Sequence, residues 1–301
     1  MSTSRTLALA ALCALAPAAA PTPAVAQGRY QAQGAAQRHF QEGDALQARG
    51  DRARADGDQK GAREAFKDAV SRFRKAIEAD PGYVDAYARI GRLYYDLDQP
   101  DEAIPLLRAG LKRQADSVDL QFWLGQHLLR ARDGKAPKPE QLEEGLALLR
   151  QVVGATDRFP EAHLVLANHL YDTGDFAGAS GHYERYLAAN PDAHNIRARL
   201  GNAYVKQQRH ADALGAFRRV HEAKPDDVAV TINLGTAHFN LGQYEDAVKL
   251  LEAALKRDPN RQSALFNLAQ SYFQLGRFAE AVPIYQRFTA AKPKSFNGWY
   301  F

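Results

Sequence analysis

The sequence repeats itself every 34 residues over its second half. Proline keeps this spacing at Pro191, Pro225, Pro259 and Pro293. Two series of small residues keep the same spacing: Ala167, Gly201, Gly235 and Ala269, and Ala179, Ala213, Ala247 and Ala281. A fixed period of this length is the signature of stacked supersecondary units. The chain is therefore predicted to be an array in which each unit packs mainly against its neighbours.

Each period contains two helical patterns. In residues 228–261, the apolar spacing around Leu234 is helical, and Gly242 then fits a helix C-cap with positive φ. Apolar residues in 247–255 form a second amphipathic run, which ends before Pro259 because proline cannot continue a helix. The spacing predicts two antiparallel helices joined by a tight turn, with small residues where their backbones approach.

This pattern resembles the tetratricopeptide repeat, which runs W-x2-L-G-x2-Y, then A-x3-F, then P. One unit matches that order at Leu200, Gly201, Tyr204, Ala213, Phe217 and Pro225. The resemblance covers about 34–301 and implies an all-α fold, an α-solenoid (superhelix) of helix-turn-helix units. It says less about function, because core residues and not chemistry define the family.

The period divides the chain into predicted units. Regular units are 84–117, 160–193, 194–227, 228–261 and 262–295. Residues 118–159 form a unit with 8 extra residues, and 134–139 are expected in its longer loop. Residues 27–83 hold an N-terminal extension and an irregular, extended first unit, with a first helix expected at 37–49. Residues 296–301 match the start of an incomplete unit, so we expect the chain to continue or this end to dock on a partner.

Residues 1–26 have the pattern of a secretory signal peptide. Arg5 precedes an apolar run at 7–16, and Ala24-Val25-Ala26 supplies a small-x-small cleavage sequence. This run is about half the length of a bilayer span, which favours a cleaved signal over a retained anchor and predicts no transmembrane segment in the mature chain. The single cysteine, Cys13, lies inside the signal. An exported chain without cysteine favours the bacterial periplasm.

Charge and motifs argue against several function classes. The chain has 39 basic and 35 acidic residues, and a net charge of +4 is too small to indicate nucleic-acid binding. No phosphate loop, G-x-G-x-x-G or G-x-S-x-G sequence occurs in a strand-turn-helix context. His163 and His169 are six residues apart and miss the i, i+4 spacing of a metal pair on one helix. We therefore predict no enzyme activity, no cofactor and no metal site.

A second stripe on the first helix of each unit predicts the binding surface. At about 100° per residue, repeat positions 2, 5, 9 and 12 lie roughly 130° away from the core-facing positions. In the resembled family this stripe lines a concave groove that holds peptide segments. Here aromatic rings and amides lie on or beside it, and the candidate groove residues are Tyr95, Phe122, Asn168, Tyr171, Asn202, Asn233, Phe239, Phe266, Asn267 and Phe273. Burial of these aromatic rings between adjacent helices is the alternative.

The resemblance implies a non-catalytic scaffold or adaptor for protein–protein interaction in the bacterial cell envelope. Its partners would be proteins or peptides of an envelope assembly. Asn202 and Asn233 match the asparagines with which some family members clamp a terminal carboxylate. Ala198 and Ser263 stand where the cations of that clamp belong, which favours an internal peptide segment or a whole protein surface.

Other functions stay open from sequence alone. The chain could be the regulatory or substrate-binding arm of an enzyme whose catalytic domain lies beyond residue 301. It could also be a glycan-binding module that holds peptidoglycan through Tyr95 and Tyr171. The basic stretch 49–75 is interrupted by 5 acidic residues, which favours a solvated helix surface over a patch for an anionic polymer.

Overall fold

The computed structural model describes residues 23–131 and 134–291, with side chains for 31–131 and 134–290. Within these residues the chain is helical and contains no β-strand, which confirms the predicted all-α solenoid of helix-turn-helix units. The described helices are α1 (Pro23–Ala55), α2 (Gln59–Ala79), α3 (Val84–Leu97), α4 (Pro100–Leu111), α5 (Val118–Leu129), α6 (Pro139–Ala155), α7 (Pro160–Asp172), α8 (Phe176–Ala189), α9 (His194–Lys206), α10 (His210–Ala223), α11 (Val228–Asn240), α12 (Tyr244–Arg257), α13 (Gln262–Gln274) and α14 (Phe278–Ala291).

These helices belong to two compact units. Helices α1–α4 lie in residues 1–115, and α5–α14 lie in residues 116–301. In both units each odd-numbered helix packs on the helix that follows it. Most of the predicted signal peptide and the whole of 296–301 fall outside the described residues, so these two predictions stay predictions.

Helix α1 is much longer than the helix expected at residues 37–49. That prediction ended the helix at Arg49. In the structure α1 continues to Ala55, and the glycines on it face phenylalanine rings of α2. A Cβ at Gly50 would come within 2.5 Å of Phe66, and one at Gly43 within 2.6 Å of Phe73. Glycine at these positions lets the two long helices approach closely, which no local pattern reveals.

Close approach also explains the small residues of the 34-residue period. A Cβ at Gly201 on α9 would lie 2.6 Å from the Phe217 ring on α10, so only glycine leaves room for that ring. Ala213 on the facing helix is fully buried. The turn between α11 and α12 contains Gly242 with φ of 73°, which confirms the predicted C-cap.

The longest connection in residues 116–291 joins α5 to α6. It spans 130–138, of which 132–133 lie outside the described residues. Pro139, which the sequence places in this loop, is instead the first residue of α6. Proline suits that position because the first helical N–H has no partner within the helix.

An arginine crosses each junction between neighbouring repeats in residues 160–291. It donates to the backbone carbonyl of the proline that closes the preceding repeat. The pairs are Arg197 with Pro191, Arg257 with Pro225, and Arg287 with Pro259. The three junctions therefore share one polar contact as well as continuous apolar packing.

A hydrogen bond between a tyrosine and a glutamate is present at two of these junctions. Tyr204 on α9 donates its hydroxyl to Glu184 on α8, and the Arg209 guanidinium lies 4.3 Å from the centre of the Tyr204 ring. Tyr272 on α13 donates in the same way to Glu252 on α12. Burial, followed by this hydrogen bond, raises the pKa of Tyr272 to about 12. We call this contact the tyrosine–glutamate clasp.

The clasp is absent from the middle junction, between α10 and α11. His238 occupies the tyrosine position, and Arg218 occupies the glutamate position. The His238 ring, half-buried, hydrogen-bonds through Nδ1 to Gln243 Oε1 at 2.6 Å, within its own repeat. Across this junction Arg257 contacts Pro225 and Asp226, and Thr231 Oγ1 on α11 lies 3.4 Å from His221 Nδ1 on α10, in addition to the apolar packing.

Candidate protein-interaction surface

Three candidate aromatic residues lie at the ends of first helices and share one environment. Each is half-buried and packs on the aromatic side chain that begins the next helix. The ring centroids are 5.3 Å apart for Tyr171 and Phe176, 5.6 Å for Phe239 and Tyr244, and 5.4 Å for Phe273 and Phe278. The second ring of each pair holds the first in place, while part of the first ring stays accessible.

Two other candidate aromatics are less accessible or differently placed. Phe122 on α5 is only 4% exposed, and its ring stacks on Phe159 with centroids 4.2 Å apart. Phe122 therefore lies in the core and not in an accessible groove, as the alternative of burial between adjacent helices predicted. Phe266 on α13 is half-buried and packs against Phe288 on α14 at 5.3 Å.

The four candidate asparagines fall into two classes. Asn168 accepts a hydrogen bond from the Tyr183 hydroxyl at 2.8 Å, and Asn267 donates to Thr236 at 2.7 Å. Asn202 on α9 and Asn233 on α11 are half-buried, and their side chains make no hydrogen bond to any residue in the described part of the chain. Each of these two amides keeps donors and an acceptor for a ligand.

Two of the first helices carry no charged side chain. Helices α11 and α13 contain no aspartate, glutamate, lysine or arginine. Their partners α12 and α14 carry charged residues on exposed positions, as do α8 and α10. A segment bound across α11 and α13 therefore meets no carboxylate, ammonium or guanidinium group of these two helices that could compensate a buried charge. Helix α9 differs, because it carries Arg197, Arg199 and Lys206.

The two candidate tyrosines lie in different compact units. Tyr95 is half-buried on α3, in residues 1–115. Tyr171 is half-buried on α7, in residues 116–301, and the Arg199 guanidinium lies 5.6 Å from the centre of its ring. Arg199 also lies 3.7 Å from Asp172. A glycan that stacked on Tyr171 would have to share this ring with Arg199.

Sequence reasoning missed a contact between two histidines. It compared His163 with His169 on the same helix, whereas the structure brings His163 on α7 against His182 on α8. The two Nδ1 atoms are 2.8 Å apart. Within 31–131 and 134–290, no three histidine, aspartate or glutamate side chains form a group that could hold a metal ion. Two residues that are 19 positions apart on different helices show no local spacing pattern, so the sequence did not indicate that they meet.

Comparison with known proteins agrees with this architecture. Two tetratricopeptide repeat family models match the chain, one at residues 164–228 and 232–296 and the other at 62–133. The chain belongs to the tetratricopeptide repeat family. Members of this family bind protein or peptide partners, which supports a protein-interaction scaffold. Every helix in the described part of this tetratricopeptide protein is too short or too polar to cross a membrane.

A curated relative and two solved structures illustrate the similarity. Human tetratricopeptide repeat protein 34 is 29% identical over 161 residues, which span 47% of this chain and 28% of that protein. The C-terminal part of a repeat-containing protein from Cytophaga hutchinsonii has a TM-score of 0.51 at 16% identity, covering 86% of this chain and 97% of that one. YrrB, described as having an unusual peptide-binding site, has a TM-score of 0.42 at 15% identity, covering 75% and 95%.

Proposed function

We propose that this tetratricopeptide protein is a non-catalytic scaffold that binds an extended peptide segment of a partner protein. The segment lies on the first helices α9, α11 and α13. The observation that carries this proposal is the pair of amides of Asn202 and Asn233, which have no hydrogen-bond partner in the described residues. They lie on first helices of consecutive repeats.

The recognition chemistry follows from these side chains. A peptide backbone offers an N–H donor and a carbonyl acceptor at almost every residue, and an asparagine amide can bond to either. The half-buried rings of Phe239 and Phe273 present apolar surface for the side chains of the bound segment. Because α11 and α13 contain no charged residue, the segment that lies across them is uncharged.

The wider role is proposed from the N-terminal sequence. The signal-peptide pattern of residues 1–26 supports export, and a periplasmic scaffold of an envelope assembly is the corresponding role. Binding needs no reacting group: the repeats hold contacts at fixed spacing, and affinity comes from several weak contacts made together.

A selected peptide tests the groove directly. A random twelve-residue peptide library is selected on the full chain, and the affinity of the best peptide is measured by fluorescence anisotropy. We expect the Asn202→Ala, Asn233→Ala double variant to bind about 10- to 30-fold more weakly, because two neutral hydrogen bonds are lost. These amides make no hydrogen bond within the described residues, so we expect helicity and unfolding midpoint to stay unchanged.

The matched control is Asn260→Ala. Asn260 is an exposed asparagine in the turn between α12 and α13, away from the first-helix stripe. Its substitution leaves the affinity unchanged. The proposal is contradicted if the double variant binds as tightly as the wild type while replacement of exposed Lys249 on α12 by alanine weakens binding. That result would place the site on the second helices. Phe239 is a poorer probe because its packing on Tyr244 makes truncation costly to the fold.

A further inference from the structure

Two histidines meet between the helices of the 160–193 repeat. His163 on α7 is 7% exposed, and its ring centroid is 5.1 Å from that of half-buried His182 on α8. The Nδ1 atoms face each other at 2.8 Å, a hydrogen-bond distance. This contact joins the two helices of one repeat directly.

The contact can hold only one proton between its two nitrogens. In the neutral pair, one imidazole donates N–H from Nδ1 and the other accepts at Nδ1. The other nitrogen of His163, Nε2, is buried and makes no hydrogen bond to described residues. Asp157 Oδ1 lies 3.8 Å from this nitrogen, which is too long for a hydrogen bond. Protonating both rings would turn two N–H groups toward each other and put two positive charges in contact.

The charged groups around the pair have opposite effects on the protonation of the two histidines. Asp157 favours the charged form of His163, and Arg185 disfavours it. For His182, Asp175 favours the charged form, whereas His163 and Arg150 disfavour it. Burial is the largest influence on both rings, and it lowers the pKa of both.

We propose that His163 and His182 form an acid-sensitive latch, which holds α7 against α8 while the pair is neutral and weakens when both rings are protonated. The helix that the latch holds also carries Asn168 and Tyr171, which contact Tyr183 on α8. Loosening α7 therefore disturbs the first-helix surface of this repeat. The latch concerns the fold and does not depend on the proposed peptide site.

The direction of the pH effect follows from linkage. Because the folded pKa of each histidine lies below its unfolded value of about 6.5, the unfolded chain takes up protons first as the pH falls. The contribution of the latch is complete above about pH 6.5 and is lost progressively at lower pH. In the affected interval, the unfolding constant rises by up to about tenfold per pH unit for each histidine that is protonated on unfolding.

Urea unfolding of the full chain at pH 7.5 and pH 5.0 tests the latch. The key variant is His163→Asn with His182→Asn, because an asparagine amide replaces the Nδ1 group and cannot titrate in this range. The control is His169→Asn, also on α7 and half-buried, whose ring makes no hydrogen bond within the described residues. We expect the wild type and the control to lose stability between the two pH values, and the double variant to lose much less. Equal losses in all three proteins would overturn the proposal.

A titration of the wild type covers the case in which the double variant does not fold. The imidazole resonances of the intact protein are followed by NMR from pH 8 to pH 4.5. We expect two of the histidines, assigned to His163 and His182 by single substitutions, to titrate below the ordinary histidine pKa of about 6.5. Titration of both at or above this ordinary pKa would show that the pair does not resist protonation, and would contradict the latch.

Discussion

The junction between α8 and α9 and the junction between α10 and α11 occupy equivalent places in the period but are held differently. Both have continuous apolar packing and an arginine that donates to the closing proline of the preceding repeat. The first junction adds the hydrogen bond of Tyr204 to Glu184, whereas the second has His238 and Arg218 at the same positions. The first junction also has Gln207 donating to Phe176 O and Ser180 Oγ. The second instead has the 3.4 Å contact of Thr231 with His221, so the polar contacts of the two junctions differ.

This difference indicates where the array is weakest. The stability of a repeat protein is approximately a sum of repeat terms and nearest-neighbour interface terms. We expect the junction without the clasp to have the smaller interface term, because it lacks the partly buried tyrosine–glutamate hydrogen bond and its ion pair between Arg257 and Asp226 is exposed and contributes little. Asn202 and Asn233 lie on either side of this junction. Binding surfaces are commonly drawn from the less stable parts of a fold, and the candidate site fits that rule.

The largest expected effect comes from the apolar packing that the junctions share. Leu234→Ala removes a side chain that is 5% exposed on α11, and Leu268→Ala removes its equivalent on α13, which is 2% exposed. Each substitution should lower the free energy of unfolding by about 2–5 kcal/mol, measured by urea denaturation. A loss below about 0.5 kcal/mol for Leu234→Ala would mean that the middle junction lacks the apolar packing that the comparison assumes.

A smaller effect is expected from removing the clasp. Tyr272→Phe deletes the hydroxyl that donates to Glu252 and should cost about 1 kcal/mol, since exposed Glu252 can be rehydrated. Because the pKa of Tyr272 is raised to about 12, the contribution of the clasp is complete below the ordinary tyrosine value of about 10 and is lost as the pH rises toward 12.

Unfolding of the wild type and of Tyr272→Phe at pH 8 and pH 11 measures both expectations. The comparison variant is His238→Phe at the junction without the clasp, which removes a hydrogen bond to Gln243 within one repeat and, among the described residues, none across the junction. If both variants lose the same amount, the clasp contributes nothing that distinguishes the junctions.

The smallest effect is a gain from building the clasp where it is missing. Arg218→Glu combined with His238→Tyr restores the residue types that meet at Glu184 and Tyr204. The double variant should be more stable than the wild type by about 1 kcal/mol, and a double-mutant cycle should assign most of the gain to the coupling between the two positions. Additive effects without coupling would show that the two side chains do not meet at this junction.

The period predicted the fold well because it reports core contacts that recur in every repeat. For example, the repeat predicted a positive φ at Gly242 in the turn between α11 and α12, and the structure has it. Contacts that do not recur were missed: α1 continues through Gly50 because Phe66 of another helix packs there, and Phe122 is buried because Phe159 stacks on it. Repeat position alone also could not separate the satisfied amides of Asn168 and Asn267 from those of Asn202 and Asn233, since their partners lie on other helices.

The central claim is that the first helices around the middle junction bind a partner. Hydrogen–deuterium exchange of the full chain, measured with and without the selected peptide, tests this claim most directly. The peptide should slow exchange most in α9 and α11, with a smaller effect in α13. Helices α10 and α12 should be protected only where they pack on these first helices. Protection confined to the exposed faces of α10 and α12, or to α1–α4 alone, would contradict the claim.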